Sequence, residues 1–133
     1  MTISTRSLLL VLGLAITGCA GPGAPRSTAQ APAVTPAKDP ATARALIAAG
    51  SAVVLDVRTA DEYGGGHLAG AVNLPVQELP ARIAEVDTLV AGDRGRPVVV
   101  YCAAGGRAAK AKAALEAAGY THVVNGGSLA DLQ

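Results

Sequence analysis

Cys102 and Arg107 are the residues whose types and spacing point most directly to chemistry. They sit in the stretch VVVYCAAGGRAAKAK, residues 98–112. An apolar run meets a cysteine, passes through Ala103, Ala104, Gly105 and Gly106, and enters an alanine-rich segment at an arginine. The first N–H groups of a helix have no intrahelical partner and lie at the positive end of its dipole. A strand–loop–helix turn of this kind is therefore an anion site. Small side chains at 103–106 let the backbone curl around a sulfur and let a ligand approach, and Gly105 and Gly106 are free to take a positive φ. A cysteine at such a mouth is expected to have a lowered pKa, and Arg107 adds a permanent positive charge. No His or carboxylate lies in the loop to act as a base, and a preformed thiolate needs none. Such a thiolate attacks an electrophilic sulfur and holds it as a persulfide, or attacks phosphorus and cradles its oxygens. The C-x4-R spacing suits the smaller atom. The plain alternative is a buried structural cysteine at a strand end.

The elements that must position this loop are legible around it. Asp39-Pro40 reads as an N-cap followed by proline at the first helical position, opening a helix that ends at Gly50. Residues 52–57 (AVVLDV) form a short apolar run, a buried strand. Residues 59–70 read as a loop with one helical turn, and 71–75 as a second strand stopped by Pro75. The amphipathic segment 76–90 reads as a helix with Pro80 near its start. Residues 97–102 are the strongest strand, 106–120 the strongest helix, closed by Gly119 just past its end. A fourth strand at 121–125, a tight turn at Gly126-Gly127 and a short terminal helix complete the chain. Apolar strands without strict alternation, interleaved with helices, predict an α/β domain: a central, mostly parallel sheet with helices on both faces. Ligands in such sheets bind beyond the C-terminal strand ends, which is where Cys102 falls.

The sequence has 133 residues, enough for one domain, with 11 Lys and Arg against 10 Asp and Glu. The basic residues are dispersed, so no nucleic-acid footprint is expected, nor electrostatic binding to anionic lipid. Half of the residues are apolar but Phe and Trp are absent, so the core must be built from Val, Leu, Ile and Ala. Arg6 precedes the run LLLVLGLAI, the length of a signal-peptide core and too short to span a bilayer. The run leads into ITGC, which resembles the lipobox of bacterial lipoprotein signals. That resemblance implies a signal peptide over 1–18 and an acylated Cys19, with residues 19–38, rich in Ala, Pro, Gly and Thr, as a flexible tether to a domain at 39–133. With Cys19 acylated, Cys102 is a lone thiol in an exported protein, a liability kept for its chemistry. A Cys19–Cys102 disulfide is the competing possibility.

Five motifs in order resemble the rhodanese (sulfurtransferase) family. They are Asp56-Val57-Arg58; Glu62-Tyr63; the stretch with Gly66, His67, Gly70, Ala71, Asn73 and Pro75; the loop with Cys102, Gly105 and Arg107; and Gly119-Tyr120 with Val124-Asn125-Gly126-Gly127. The short exported form is most similar to single-domain periplasmic rhodaneses of the phage-shock-protein E kind. The resemblance implies that Cys102 takes a sulfane sulfur from a donor such as thiosulfate and passes it to cyanide or a thiol acceptor. Ala103, Ala104, Gly105 and Gly106 would bind substrate through their backbone, and Arg107 would support the loop. Arg58 reads first as a structural partner of Asp56 and second as a contact to the donor anion. No cofactor or metal is implied. The anchor would hold a monomer at the periplasmic face, with the outer membrane favoured because Ala20, not Asp, follows Cys19. Phosphatases of the family carry one more residue between Cys and Arg. The neutral Ala103 and Ala104, and the absence of an aromatic after Gly127, depart from the common pattern and bear on the donor. Two other readings are a non-catalytic binding module of rhodanese fold and a small-anion phosphatase or arsenate reductase. The intact Cys102 and Arg107 argue against the first; loop length and the lack of a second redox cysteine argue against the other. His67 reads as a backbone partner, His122 has no assigned role, and Lys110 and Lys112 read as a solvated helix face.

Overall fold

A computed structural model of the chain describes residues 37–133. The expected signal segment, Cys19 and the expected tether up to residue 36 lie outside the described residues. Helix α1 (Pro40–Ala48) starts as its sequence predicts: Asp39 caps the N-terminus by accepting the Thr42 N–H, and proline occupies the first turn. The chain continues through β1 (Val53–Asp56), α2 (Ala60–Gly64) and the two-residue β2 (Val72–Asn73). Next come a 3-10 turn (Leu79–Arg82), α3 (Ile83–Leu89), β3 (Val98–Cys102), α4 (Gly106–Ala117), β4 (Val123–Ser128) and α5 (Leu129–Leu132).

All strand pairings are parallel, in the order β2-β1-β3-β4. β3 is buried along its whole length and its side chains alternate between two apolar layers. Val98, Val100 and Cys102 face a layer with Leu79, Val86 and the α4 residues Ala108, Ala111 and Leu115. Val99 and Tyr101 face a second layer with Ala43 and Leu132, against which Leu46 and Ile47 also pack. Helices thus cover both faces, as expected, and the period-2 geometry of the strand turns Cys102 toward the start of α4. β1 and β3 are neighbours although β2 intervenes in sequence, so the strand order reverses between them. The C-terminal ends of these two strands carry Arg58 and Cys102, at the switch point where open α/β sheets bind ligands.

The sequence expectations need three corrections. The helix expected over 76–90 becomes regular only at Ile83; Pro80, which lacks an N–H, sits in the preceding 3-10 turn. Gly126-Gly127 is not a tight turn but part of β4, where the register against β3 shifts between Val100 and Tyr101. Lys112 does not form part of a free solvated face: its ammonium binds Glu116 Oε1 at 2.5 Å and the Val123 carbonyl at 2.7 Å. That contact satisfies an edge-strand carbonyl that would otherwise stay open for pairing. Gly119, with φ +98°, closes α4 as expected.

Candidate active site

The cysteine loop is built by the end of β3 and the start of α4. Gly105 is the N-cap of α4 and takes a left-handed φ of +96°, a conformation that suits glycine. This turn of the chain directs the Gly105 N–H at Cys102 Sγ, at 2.9 Å. Burial, the largest single influence, pushes the Cys102 thiol up. The N–H groups of Ala108, Ala104, Gly105 and Arg107 together outweigh it, and the thiol lies below its ordinary value. The physical cause is that N–H donors stabilise the anion and not the thiol. Cys102 is 1% exposed, while Ala103, Ala104 and Gly106 lie on the open side of the loop. Gly106 does not use a positive φ; it is the first helical residue, with open space where a Cβ would stand.

Arg107 is held by a residue far away in sequence. Its Nη1 and Nη2 donate to Glu62 Oε2 and Oε1 at 2.7 and 2.8 Å. Glu62 is itself fixed at the start of α2, where its carboxylate accepts the Thr59 N–H and the Thr59 hydroxyl accepts the Glu62 N–H. The Arg107 guanidinium and, after it, the Thr59 N–H hold the Glu62 carboxyl down at about 2. Glu62 belongs to the motifs quoted above, yet nothing in them points to Arg107. The available signal was the capping-box spacing of Thr59 and Glu62, which predicts α2 and orients Glu62.

Arg58 occupies a different setting. Its Nε and Nη2 bind both oxygens of Asp56, and Nη2 also donates to the Gly66 carbonyl at 2.7 Å. Asp56 further accepts the Tyr101 hydroxyl at 2.8 Å, and that hydroxyl accepts the Leu68 N–H. Burial pushes the Tyr101 phenol up to about 12, so it stays a donor. Asn73 donates to the carbonyls of Asp56 and Arg58. Cys102, Ala103, Ala104, Gly105, Gly106 and Arg107 therefore share one loop, and Arg58 lies at the neighbouring strand end with its guanidinium occupied by protein partners. His67 bonds the Tyr63 carbonyl through Nδ1 and stacks on the Tyr63 ring.

Asn125 is a further site residue that the motif reading left without a role. Buried in β4, it donates Nδ2 to the Gly105 carbonyl at 3.2 Å and accepts the Gly127 N–H at 2.9 Å. The cysteine loop is thus tied to the adjacent strand by a side chain that spans it.

The chain is similar to known proteins in sequence and in fold. A family model described as Rhodanese-like domain matches residues 39–130. Thiosulfate sulfurtransferase PspE of Escherichia coli K12 is 41% identical over 78 residues, which cover 59% of this chain and 71% of that protein. The solved structure "rhodanese with anions from E. coli" superposes with a TM-score of 0.54 at 41% identity, covering 60% of this chain and 89% of that one. The human single-domain sulfurtransferase TSTD1 gives a TM-score of 0.57 at 28% identity, over 70% and 91% of the two chains. A cysteine cradled at the switch point of a parallel sheet, together with these matches, establishes that the chain belongs to the rhodanese-like family and is an enzyme of the rhodanese sulfurtransferase type.

Proposed function

We propose that the protein moves a sulfane sulfur from a donor such as thiosulfate to cyanide or a thiol acceptor through a persulfide on Cys102. The observation that carries this reading is the Cys102 sulfur seated under the Gly105 N–H at 2.9 Å, with the N–H groups of Ala104, Arg107 and Ala108 also favouring its anion. In the first half-reaction the Cys102 thiolate attacks the outer sulfur of thiosulfate. A sulfur–sulfur bond forms to Cys102, the bond to the sulfonate sulfur breaks, and sulfite leaves with the electron pair. In the second half-reaction cyanide or a thiolate attacks the outer persulfide sulfur and Cys102 departs as thiolate. The charged sulfur is stabilised in both states by N–H groups already in place, which is electrostatic preorganisation of a nucleophile. Ala103, Ala104, Gly105 and Gly106 contact the donor through backbone, and Arg107 supports the loop from its place in the pair with Glu62. Arg58, held by Asp56 and Gly66, is first a structural residue and second a contact to the donor anion.

The same reading places the domain at the periplasmic face of the bacterial envelope as a monomer, held by an acylated Cys19, with the outer membrane favoured. Its support is the apolar run before ITGC and the Ala20 that follows. Among the described residues no helix is long and apolar enough to cross a membrane.

The test is the intact mass of the purified protein after thiosulfate and then after cyanide, beside Cys102→Ala. A gain of one sulfur in the unmutated protein alone, removed by cyanide as thiocyanate, is the expected result. Failure of a folded, reduced protein to take sulfur from thiosulfate, mercaptopyruvate or polysulfide would favour the non-catalytic binding module.

A further inference from the structure

The nearest donor to the sulfur, the Gly105 N–H, belongs to a residue held from two more directions. Asn125 fixes its carbonyl. Over its α-carbon runs the side chain of Lys38: a Cβ at Gly105 would stand 2.9 Å from Lys38 Cδ and 3.2 Å from Cγ and Cε. A Cβ at Gly127 would meet the same Cδ at 2.9 Å. Gly105 and Gly127 are both left-handed, at φ +96° and +86°. Three methylenes of Lys38 therefore lie in a trough floored by two glycines, one from the cysteine loop and one from β4. The Lys38 ammonium stands 3.7 Å from Asp131 Oδ2, and both side chains are well exposed, at 47% and 37%. Exposed pairs of this kind contribute little, so the packed stem, not the charge, sets the contact. The backbone beside it is anchored, since the Asp39 N–H donates to the Asn125 carbonyl at 2.8 Å.

We propose that Lys38 is a positioning residue for the Cys102 loop: its aliphatic stem, seated on Gly105 and Gly127, holds Gly105 left-handed and keeps its N–H on the sulfur. Glycine has more backbone freedom to lose than any other residue, so a loop that relies on one needs an external restraint. Asn125 and the Ala109 N–H, at 3.2 and 2.9 Å, both restrain the Gly105 carbonyl and leave its α-carbon face to another group. Lys38 covers the face where a Cβ would stand and costs the substrate face nothing, because Ala103, Ala104 and Gly106 remain open. The proposal rests on the reading that Cys102 works as a thiolate.

The experiment compares the full chain with Lys38→Ala, which removes the stem, and Lys38→Met, which keeps it and removes the charge. The readout is the pH dependence of iodoacetamide alkylation at Cys102, followed by mass of the Cys102 peptide, which needs no sulfur donor. Lys38→Ala is expected to raise the alkylation midpoint by about half a unit to one unit, as loss of part of one N–H interaction with an anion should. Lys38→Met is expected to restore it, with thermal midpoints alike in all three proteins. An unchanged Cys102 midpoint in Lys38→Ala overturns the proposal, whether or not stability falls. Equal shifts in the Ala and Met variants also overturn it, because they would assign the effect to charge. A normal alkylation profile in a protein that takes up no sulfur would instead break the sulfurtransfer reading.

Discussion

Two arginines, each clasped by a carboxylate, stand at the same end of the sheet, and they do different work. Arg58 is buried at the end of β1 and bound to a fully buried Asp56, which also holds the Tyr101 hydroxyl. Arg107 is half-exposed on the first turn of α4 and paired with an equally accessible Glu62. Removing one partner of a buried pair strands the other charge in an apolar setting. Loosening an accessible pair lets water replace it. The first pair therefore belongs to architecture, and the second is free to tune the chemistry beside it. Charge and pairing alone do not separate the two roles; burial does.

Substitution can break this contrast. The largest effect is expected from Arg58→Ala, which leaves Asp56 buried and unpaired. It should cost about 3–5 kcal/mol, a large fraction of the stability of a domain this size. Urea unfolding measures it, and the Cys102 alkylation midpoint at a temperature where the variant stays folded should move little. Arg107→Ala should invert that pattern. Its thermal midpoint should stay near that of the unmutated protein, while the Cys102 midpoint rises and sulfur loading slows about tenfold, as loss of a charge beside an anion implies. If both variants lowered stability equally and left the thiol alone, the division of roles would be wrong.

The smallest effect is a pH signature. Glu62 titrates at about 2 in the folded protein, held there first by Arg107, against an ordinary glutamate value near 4.3. A carboxyl with a depressed folded value stabilises the fold above its unfolded value and loses that contribution as pH falls through the folded one. The difference in thermal midpoint between the protein and Glu62→Gln should therefore be full above about pH 4.5 and fade as pH falls toward 2. A difference that persisted unchanged at pH 2 would mean that the pair is not what Glu62 contributes.

The two pairs also differ in how far they could be read from sequence. Asp56 ends β1 and, two residues on, the Arg58 N–H donates to its carboxylate at 3.0 Å, a local Asx-type turn that brings the two side chains together within one short stretch of sequence. Glu62 and Arg107 are joined across the switch point by 45 positions of sequence separation. The composition of residues 103–106 was enough to expect a tight loop around Cys102, because small residues before a helix start have few other uses. It could not say which glycine turns left-handed, since Gly105 and Gly106 are equally permissive until the α4 axis is placed. The register shift that skips Gly126 in β4 was hidden for a similar reason: it is defined by pairing with β3, and the Leu132 and Ala43 side chains that leave no room for a Cβ at Gly126 come from other elements.

By itself the sequence determined the alternation of elements, the parallel α/β class, the cysteine at a strand end and the N–H-rich turn behind it. These rest on local pattern, capping and turn chemistry, which act within a few residues. Only the tertiary structure decided that Glu62 clasps Arg107, that Asn125 ties Gly105 to β4, and that the Lys38 stem covers the loop from behind. Each of those contacts joins distant segments, and only the packing of both layers against the sheet brings those segments together.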